Sequence, residues 1–379
     1  MEINNKVYKK QYLFCILQYR KIEFSITTLL YVLLALRKYP VLKSQCKIVL
    51  ATSEKYSLRY WLLKKVLFSG IDFEILKSPV TYMLKLDKIF KTYSTTDFKY
   101  FVKCDEDILV SSDSLYKILQ NSETVIESGN ALLTTLNLST GIPSWNYFAK
   151  QLFDKSFYDQ INKLLANDSI PEQIWGNDYK VINSKIRSFD GQWNENKYWE
   201  EINQLNYDYK GIHPVRTSIQ YSELINDSIL LNFKQFISNI SKNEFAYVNN
   251  RYFCNSFFVI NYTTYFNIIN NKDLFVDNFD EVPINKHKNL NNLAFCFLEE
   301  SLAVHISYNS VYHQKVFKNG KYTSGDKLEY YYLLEYQKKI LKEIKPSKIY
   351  IWLLLNCNHL NFIYFKNISL IKFFKKLRS

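Results

Sequence analysis

One stretch constrains the fold of this chain more than any other. It is residues 100–110 (YFVKCDEDILV), in which a mostly apolar run leads into three acids. Such a run predicts a buried strand of a parallel sheet, because strands covered on both faces are apolar throughout. Asp105, Glu106 and Asp107 then stand at the carboxyl end of that strand, where open α/β sheets bind their ligands. Side chains alternate along a strand, so Asp105 and Asp107 point the same way and can share one hard divalent cation.

Strand-like and helix-like segments alternate before this run. The predicted strands are 11–19, 46–51 and 73–76, and the predicted helices are 25–36, 56–68 and 84–93. This alternation is typical of a doubly wound, mostly parallel sheet. After the acids we predict helices at 112–119 and 147–165, and strands at 131–138 and within 247–261.

The composition indicates a folded protein without a glycine-rich phosphate loop. Apolar residues make up 47% of the chain, which is enough for a core and excludes a disordered chain. The chain has 8 glycines and neither GxGxxG nor GxxxxGKS/T, so a bound nucleotide would depend on a metal to neutralise its phosphates. The net charge of +13 indicates a polyanionic partner: a nucleic acid, an anionic lipid or a phosphorylated substrate.

Cysteine usage and the lack of targeting segments predict a cytosolic protein. The 6 cysteines are dispersed without a CxxC pair, which favours buried reduced thiols over a disulfide framework or a zinc site. The first residues, MEINNKVYKK, lack the apolar core of a signal peptide. No run reaches the roughly 18 apolar residues that a membrane span needs.

In this context, Asp105-Glu106-Asp107 resembles the DxD motif of GT-A glycosyltransferases, which use nucleotide-sugar donors. The resemblance covers about residues 11–217. It implies a GT-A-like sheet in which Asp105 and Asp107 bind Mn²⁺ or Mg²⁺, and the metal bridges the diphosphate of a donor such as a UDP-sugar. It also implies contacts to that donor from residues after the first two strands, before and within the acidic motif, and late in the domain. These predicted donor contacts are Arg20, Ser53, Lys85, Lys88, Glu106 and Arg216.

A second motif, WGND at 175–178, resembles the WG-acid motif that follows DxD in galactosyltransferase-type enzymes. The resemblance implies that Trp175 and Asn177 contact the acceptor sugar and that Asp178 is the catalytic base. An aromatic face beside a carboxylate suits a sugar, since the ring stacks on C–H groups while the acid bonds hydroxyls. The pattern is WGND and not WGGED, which leaves open whether Asp178 deprotonates the acceptor or only orients it. Retention or inversion at the anomeric carbon is open as well.

A histidine is expected as the third protein ligand of the metal. The segment 210–216 (KGIHPVR) resembles the late His of family 8 enzymes, and this resemblance implies that His213 ligates the cation. A second acid-then-His pattern follows at 277–281 and His305. It can complete the site, line an acceptor cleft or belong to an accessory domain. If His305 is the ligand, His213 is not; the spacing from the acids favours His213.

The carboxyl-terminal region has a different character. A charged helix is predicted at 327–344, and no acid follows Glu343, whereas seven basic residues do. A helix from Lys366 would gather its apolar residues on one face, which predicts a basic amphipathic tail on an anionic membrane surface. A terminal helix packed on the core is the alternative. We therefore expect a GT-A-like catalytic domain at 1–235, an accessory α/β region at 236–335 and the tail at 336–379.

Three functions remain in view. The leading hypothesis is a metal-dependent glycosyltransferase that acts on a glycan or lipid-linked glycan in surface polysaccharide synthesis, peripheral to the inner face of the membrane. A sugar nucleotidyltransferase needs a glycine-rich basic loop after the first strand, where this chain has YRKIEFSITT. A non-catalytic nucleic-acid-binding protein would use the charge and the aromatics. The basic residues are diffuse before the tail and no RRM, KH or helix-turn-helix pattern occurs, so we expect no nucleic-acid partner.

Overall fold

A computed structural model describes residues 8–19, 22–136, 138–139, 219–238, 245–248, 255–271, 280–298, 301, 303–306, 315–318 and 321–347. The helix expected at 147–165 and the tail from 348 onward lie outside these residues. The strands are β1 (Lys10–Leu17), β2 (Cys46–Thr52), β3 (Phe73–Lys77), β4 (Phe98–Asp105), β5 (Ile108–Val110), β6 (Ala131–Thr135), β7 (Phe245–Val248), β8 (Phe257–Asn261), β9 (Ala294–Leu298), β10 (Ala303–His305), β11 (Lys315–Lys318) and β12 (Lys321–Ser324).

The helices lie between these strands along the chain. They are α1 (Ile22–Lys38), α2 (Val41–Gln45), α3 (Leu58–Leu62), α4 (Tyr82–Thr92), α5 (Ser112–Glu127), α6 (Ile219–Leu231), α7 (Phe233–Ile237), α8 (Tyr262–Asn270), α9 (Glu281–Leu290) and α10 (Gly325–Ile344). Helix α3 continues as a π-helical turn over Leu63–Leu67, and Gly70 then takes a φ of 76°, the left-handed region that favours glycine. None of the described helices is long and apolar enough to cross a membrane.

Eight strands form one central sheet in the order β3-β2-β1-β4-β8-β6-β9-β7. Strands β1 to β4 are parallel to one another, and β6 and β9 share their direction. Only β8 and β7 run the opposite way in this sheet. The prediction of a mostly parallel α/β sheet flanked by helices is thus confirmed. The strands expected at 11–19, 46–51 and 73–76 fall on β1, β2 and β3.

The two faces of the sheet carry separate cores. Tyr12, Phe14 and Ile16 of β1 pack into the core that includes α1, α5 and α10. Leu13 and Cys15, which alternate with them, pack into the core that includes α4 and α8. Because both faces are buried, the strands show continuous apolar runs and not the alternation of a half-exposed sheet.

Helix α1 is buried over most of its length because the sheet covers one side while α5 and α10 cover others. Gln337 of α10 donates to Thr27 Oγ1 at 3.2 Å, and Arg37 donates to the carbonyl of Ile344 at 2.9 Å. The two helices therefore run side by side in the same direction. Helix α1 begins beside the carboxyl ends of the strands, so α10, which runs in the same direction, ends beside their amino ends. Its 20 residues span roughly 30 Å.

The expected boundary at residue 235 does not divide the sheet. Strand β8, which was assigned to an accessory region at 236–335, lies between β4 and β6, and its side chains from Phe257 to Ile260 are fully buried. Strands β7 and β9 extend the same sheet. Helix α10 likewise crosses the boundary expected at 335. Chain order misled this prediction, because a strand late in the chain is inserted antiparallel between two early ones.

Candidate functional site

The three acids lie at the carboxyl end of β4, as the sequence predicted. Strand β4 ends at Asp105, and Glu106 and Asp107 form the turn that leads into β5. From β1 the chain moves to β2 and β3 on one side, and β4 then pairs with the other side of β1. The acids thus stand where the winding of the sheet reverses, the position at which open α/β sheets form a ligand crevice.

His305 lies next to Asp107 because strands β10 and β5 form a short antiparallel pair. Strand β10 pairs antiparallel with β5, which sets His305 opposite Ile108. The Ile306 N–H donates to the Asp107 carbonyl at 2.9 Å, and the His305 N–H donates to Ser139 Oγ at 2.9 Å. As a result, His305 Nε2 lies 3.5 Å from Asp107 Oδ2, and each side chain is only 7% exposed.

Asp105 has a buried partner that sequence reasoning missed. Lys103, two residues earlier on the same side of β4, places its Nζ 2.9 Å from Asp105 Oδ1. The Lys103 side chain is 1% exposed, against 22% for Asp105. Its ammonium also donates to the Asn255 carbonyl and lies 5.2 Å from the centre of the Tyr82 ring. A lysine inside a buried strand, two positions before an acid, was the signal that could have found it.

Burial and charge act on this pair in opposite senses. Burial raises the pKa of Asp105 to about 6; Lys103 opposes this rise, and the carboxylate of Asp107 adds to it. Burial alone would lower the pKa of Lys103, but the carboxylates of Asp105, Asp280 and Glu281 raise it above its ordinary value. The neighbouring carboxylates therefore favour the charged form of Lys103, whereas burial disfavours the ionised form of Asp105.

Asp280 is a buried acid that is bonded to Asn255, a neighbour of Lys103. It is fully buried and accepts hydrogen bonds from Asn255 Nδ2 and, at 2.5 Å, from the Tyr265 hydroxyl. The Asn255 N–H donates to Glu281 Oε1 at 3.2 Å. Two residues of the second acid-then-His pattern therefore lie near the site. Asp280 is bonded to Asn255, which contacts Lys103, and His305 contacts Asp107.

Glu106 bonds the loop after β1 and the first turns of α1. Its carboxylate accepts the Tyr19 N–H at 3.0 Å and the Ser25 hydroxyl at 3.3 Å, and its carbonyl accepts the Thr28 hydroxyl at 2.5 Å. Only 2% of Glu106 is exposed. Glu106 thus anchors the loop after β1 and the start of α1, and its contact to a donor stays a prediction.

Three other residues that we expected to contact the nucleotide-sugar donor are described, and they differ in burial. Lys85 is buried and donates to Ser78 Oγ at 3.0 Å and to the Pro79 carbonyl at 2.9 Å, and burial lowers its pKa to about 8. Lys88 is exposed on α4. Ser53 is half-buried after β2, where its carbonyl accepts from Lys77. Each contact to a donor stays a prediction.

Six predicted site residues lie outside the described part of the chain, and their roles stay predictions. They are Arg20, Trp175, Asn177, Asp178, His213 and Arg216. Ser139, the last described residue before most of them, bonds the backbone of His305, so the chain enters this segment beside the acids. The histidine that the described residues bring to the acids is His305, the alternative to His213.

The described side chains give a partial ligand set for a metal. Among residues that the structure describes, no group of three or more His, Cys, Asp or Glu side chains is arranged to hold an ion. Asp107 and His305 form a close pair, and Lys103 takes one oxygen of Asp105. No protein-family model matches this chain, and a search of curated proteins found no match.

Proposed function

We propose that this protein is a metal-dependent glycosyltransferase of the GT-A type. It moves a sugar from a nucleoside-diphosphate donor, most simply a UDP-sugar, to a hydroxyl of a glycan or lipid-linked glycan. The observation that carries the proposal is the Asp107–His305 pair, which follows Asp105 at the point where the winding of the sheet reverses. Such a crevice is where α/β sheets bind nucleotides.

The side chains present fit a divalent cation in their chemistry. Two carboxylates and an imidazole offer the oxygen and nitrogen donors that Mn²⁺ accepts, and oxygen donors alone suit Mg²⁺. The 3.5 Å between Asp107 Oδ2 and His305 Nε2 is near the separation of about 3 Å between neighbouring ligands of an octahedral ion. Asp105, Asp107 and His305 would hold the ion, and His213, which lies outside the described residues, is the alternative third ligand. Bound there, the ion would supply Lewis-acid stabilisation of the departing diphosphate.

The chain itself prepares the crevice. The Ile306 N–H fixes the Asp107 backbone, so the turn that carries both aspartates is held against β10. Glu106 holds the loop after β1, which leaves Tyr19 39% exposed at the mouth of the crevice. Lys103 adds a positive charge near the place where a diphosphate would lie. By the resemblance of WGND, Trp175 would stack on the acceptor sugar and Asp178 would orient or deprotonate its hydroxyl.

We further propose that the protein works at the inner face of a membrane, through the basic tail. Helix α10 ends at Ile344, at the edge of the sheet opposite the acids. The cytoplasmic placement and the role in surface polysaccharide synthesis belong to the same proposal.

Turnover of nucleotide-sugars tests the assignment. Wild-type protein with Mn²⁺ and a panel of UDP-, GDP- and CDP-sugars should release nucleoside diphosphate from one donor class, and EDTA should stop the release. Asp107→Ala should abolish it without loss of fold, whereas Asp87→Asn, an exposed acid paired with Lys91, should keep it. Comparison of His305→Gln with His213→Gln decides which histidine serves the site. Full activity of the Asp107→Ala variant refutes the proposal.

A further inference from the structure

Lys103 occupies an unusual place for a charged side chain. It is buried in the middle strand of the sheet, yet its Nζ contacts the carboxylate that the proposed function assigns to a metal. A buried ammonium is costly to hold unless carboxylates and hydrogen bonds compensate it. Here the Asp105 carboxylate and the Asn255 carbonyl both compensate the charge of the Lys103 ammonium.

We propose that Lys103 is a resident counter-cation that competes with the divalent ion for Asp105 and so weakens metal binding by the protein alone. The inference rests on the proposed function, because it concerns the same acids. In the absence of metal, Lys103 balances the charge of the acidic turn. A divalent ion must then share Asp105 with an ammonium that already holds one of its oxygens.

The surroundings of Lys103 keep it from moving aside. Its ammonium donates to the Asn255 carbonyl, and the Tyr82 and Phe258 rings lie 5.2 and 6.0 Å from it. Asn255 is in turn fixed by Asp280 and Glu281. A lysine held on several sides cannot swing into solvent when a second cation arrives, so the two positive charges repel each other at short range.

This arrangement has a consequence for how the site loads. The negative charge of a nucleoside diphosphate attracts both the Lys103 ammonium and the divalent ion. The metal should therefore bind weakly alone and much more tightly with the diphosphate, so that donor and metal enter together. Lys103 thus makes occupancy of the site depend on the donor.

Metal binding by charge-removal variants tests the inference with a readout other than turnover. Lys103→Gln keeps a hydrogen-bond donor near Asp105 but removes the charge, and Lys103→Met removes both. Each variant should bind Mn²⁺, measured by calorimetry or by electron paramagnetic resonance without nucleotide, at least tenfold more tightly than wild type. Lys103→Arg should stay close to wild type. Thermal unfolding in EDTA should show both neutral variants less stable than wild type, and Mn²⁺ should restore them.

A second lysine of β4 provides the matched control. Lys99 pairs with Glu123 and Glu127 at the other end of the strand, and Lys99→Met should leave the Mn²⁺ affinity unchanged. Equal or weaker Mn²⁺ binding by folded Lys103→Gln overturns the inference while wild-type binding still supports the metal site. Absence of Mn²⁺ binding in wild type and all variants, with and without UDP, overturns the proposed function itself. If Lys103→Met does not fold, Lys103→Gln decides the question.

Discussion

Replacement of Asp105 by Asn should change how the stability of the metal-free protein depends on pH. In the folded protein burial raises the pKa of this carboxyl from 3.8 to about 6. The folded state therefore binds the proton more tightly than the unfolded state. The resulting stabilisation is fully present below pH 3.8 and is lost as the pH rises through about 6.

The magnitude follows from the pKa itself. The interval from 3.8 to about 6 corresponds to about 3 kcal/mol, since one pKa unit is ~1.36 kcal/mol. The side chain is 22% exposed, so most of this effect should survive solvent screening. Asparagine does not titrate. The free energy of unfolding of wild type minus that of Asp105→Asn should therefore fall by about 2.5 kcal/mol between about pH 4 and pH 7, because the unfolded carboxyl is already more than half ionised at pH 4.

Urea unfolding in EDTA at a series of pH values measures this difference. Asp87→Asn is the control, because its exposed pair with Lys91 contributes at most ~1 kcal/mol and its profile should stay nearly flat. A difference between wild type and Asp105→Asn that is constant with pH, or that rises, would show that burial does not disfavour the ionised carboxyl. The account of the Lys103–Asp105 pair would then be wrong.

Two further predictions concern residues that support the site. Glu106→Ala removes the acceptor of the Tyr19 N–H and the Ser25 hydroxyl, and should lower the free energy of unfolding by about 2–4 kcal/mol. Hydrogen exchange at the Tyr19 amide should accelerate, and unchanged protection would contradict the anchoring role. Arg59 pairs with Glu23 at 2.6 Å in a buried position. Arg59→Met should cost about 3–5 kcal/mol in urea unfolding, and Glu23→Leu in the same chain should recover most of it. Failure of the second change to recover stability would mean that the charge pair is not the cause.

The sheet around β4 was predictable because local pattern and tertiary burial agree there. Strands β1, β2 and β4 are covered on both faces, so their sequences are mostly apolar, and the acids mark the point where β4 leaves the core. The place of β8 was not predictable in this way. A buried antiparallel strand between β4 and β6 has the same local sequence pattern as one at the edge of a separate region.

The site shows the same division between local and long-range information. Glu106 stands in the turn after β4, and its carboxylate accepts the N–H of Tyr19 in the loop after β1. The resemblance had nevertheless placed Glu106 among the donor contacts. His305 was ranked second because the spacing from the acids favours His213, and spacing along the chain does not show the pairing of β10 with β5. Lys103 was overlooked because one lysine in an apolar strand has no motif.

Calorimetric titration of the protein with UDP, in Mn²⁺ and in EDTA, shows whether the acids at the end of β4 hold a metal-dependent nucleotide site. The account predicts binding that requires the metal and disappears in Asp107→Ala, because the carboxylate joins the ion to the protein. GDP and CDP are measured in parallel to cover the other donor bases. Absence of binding to all three nucleotides under every metal condition would contradict the account and leave the acids as the solvated end of a strand.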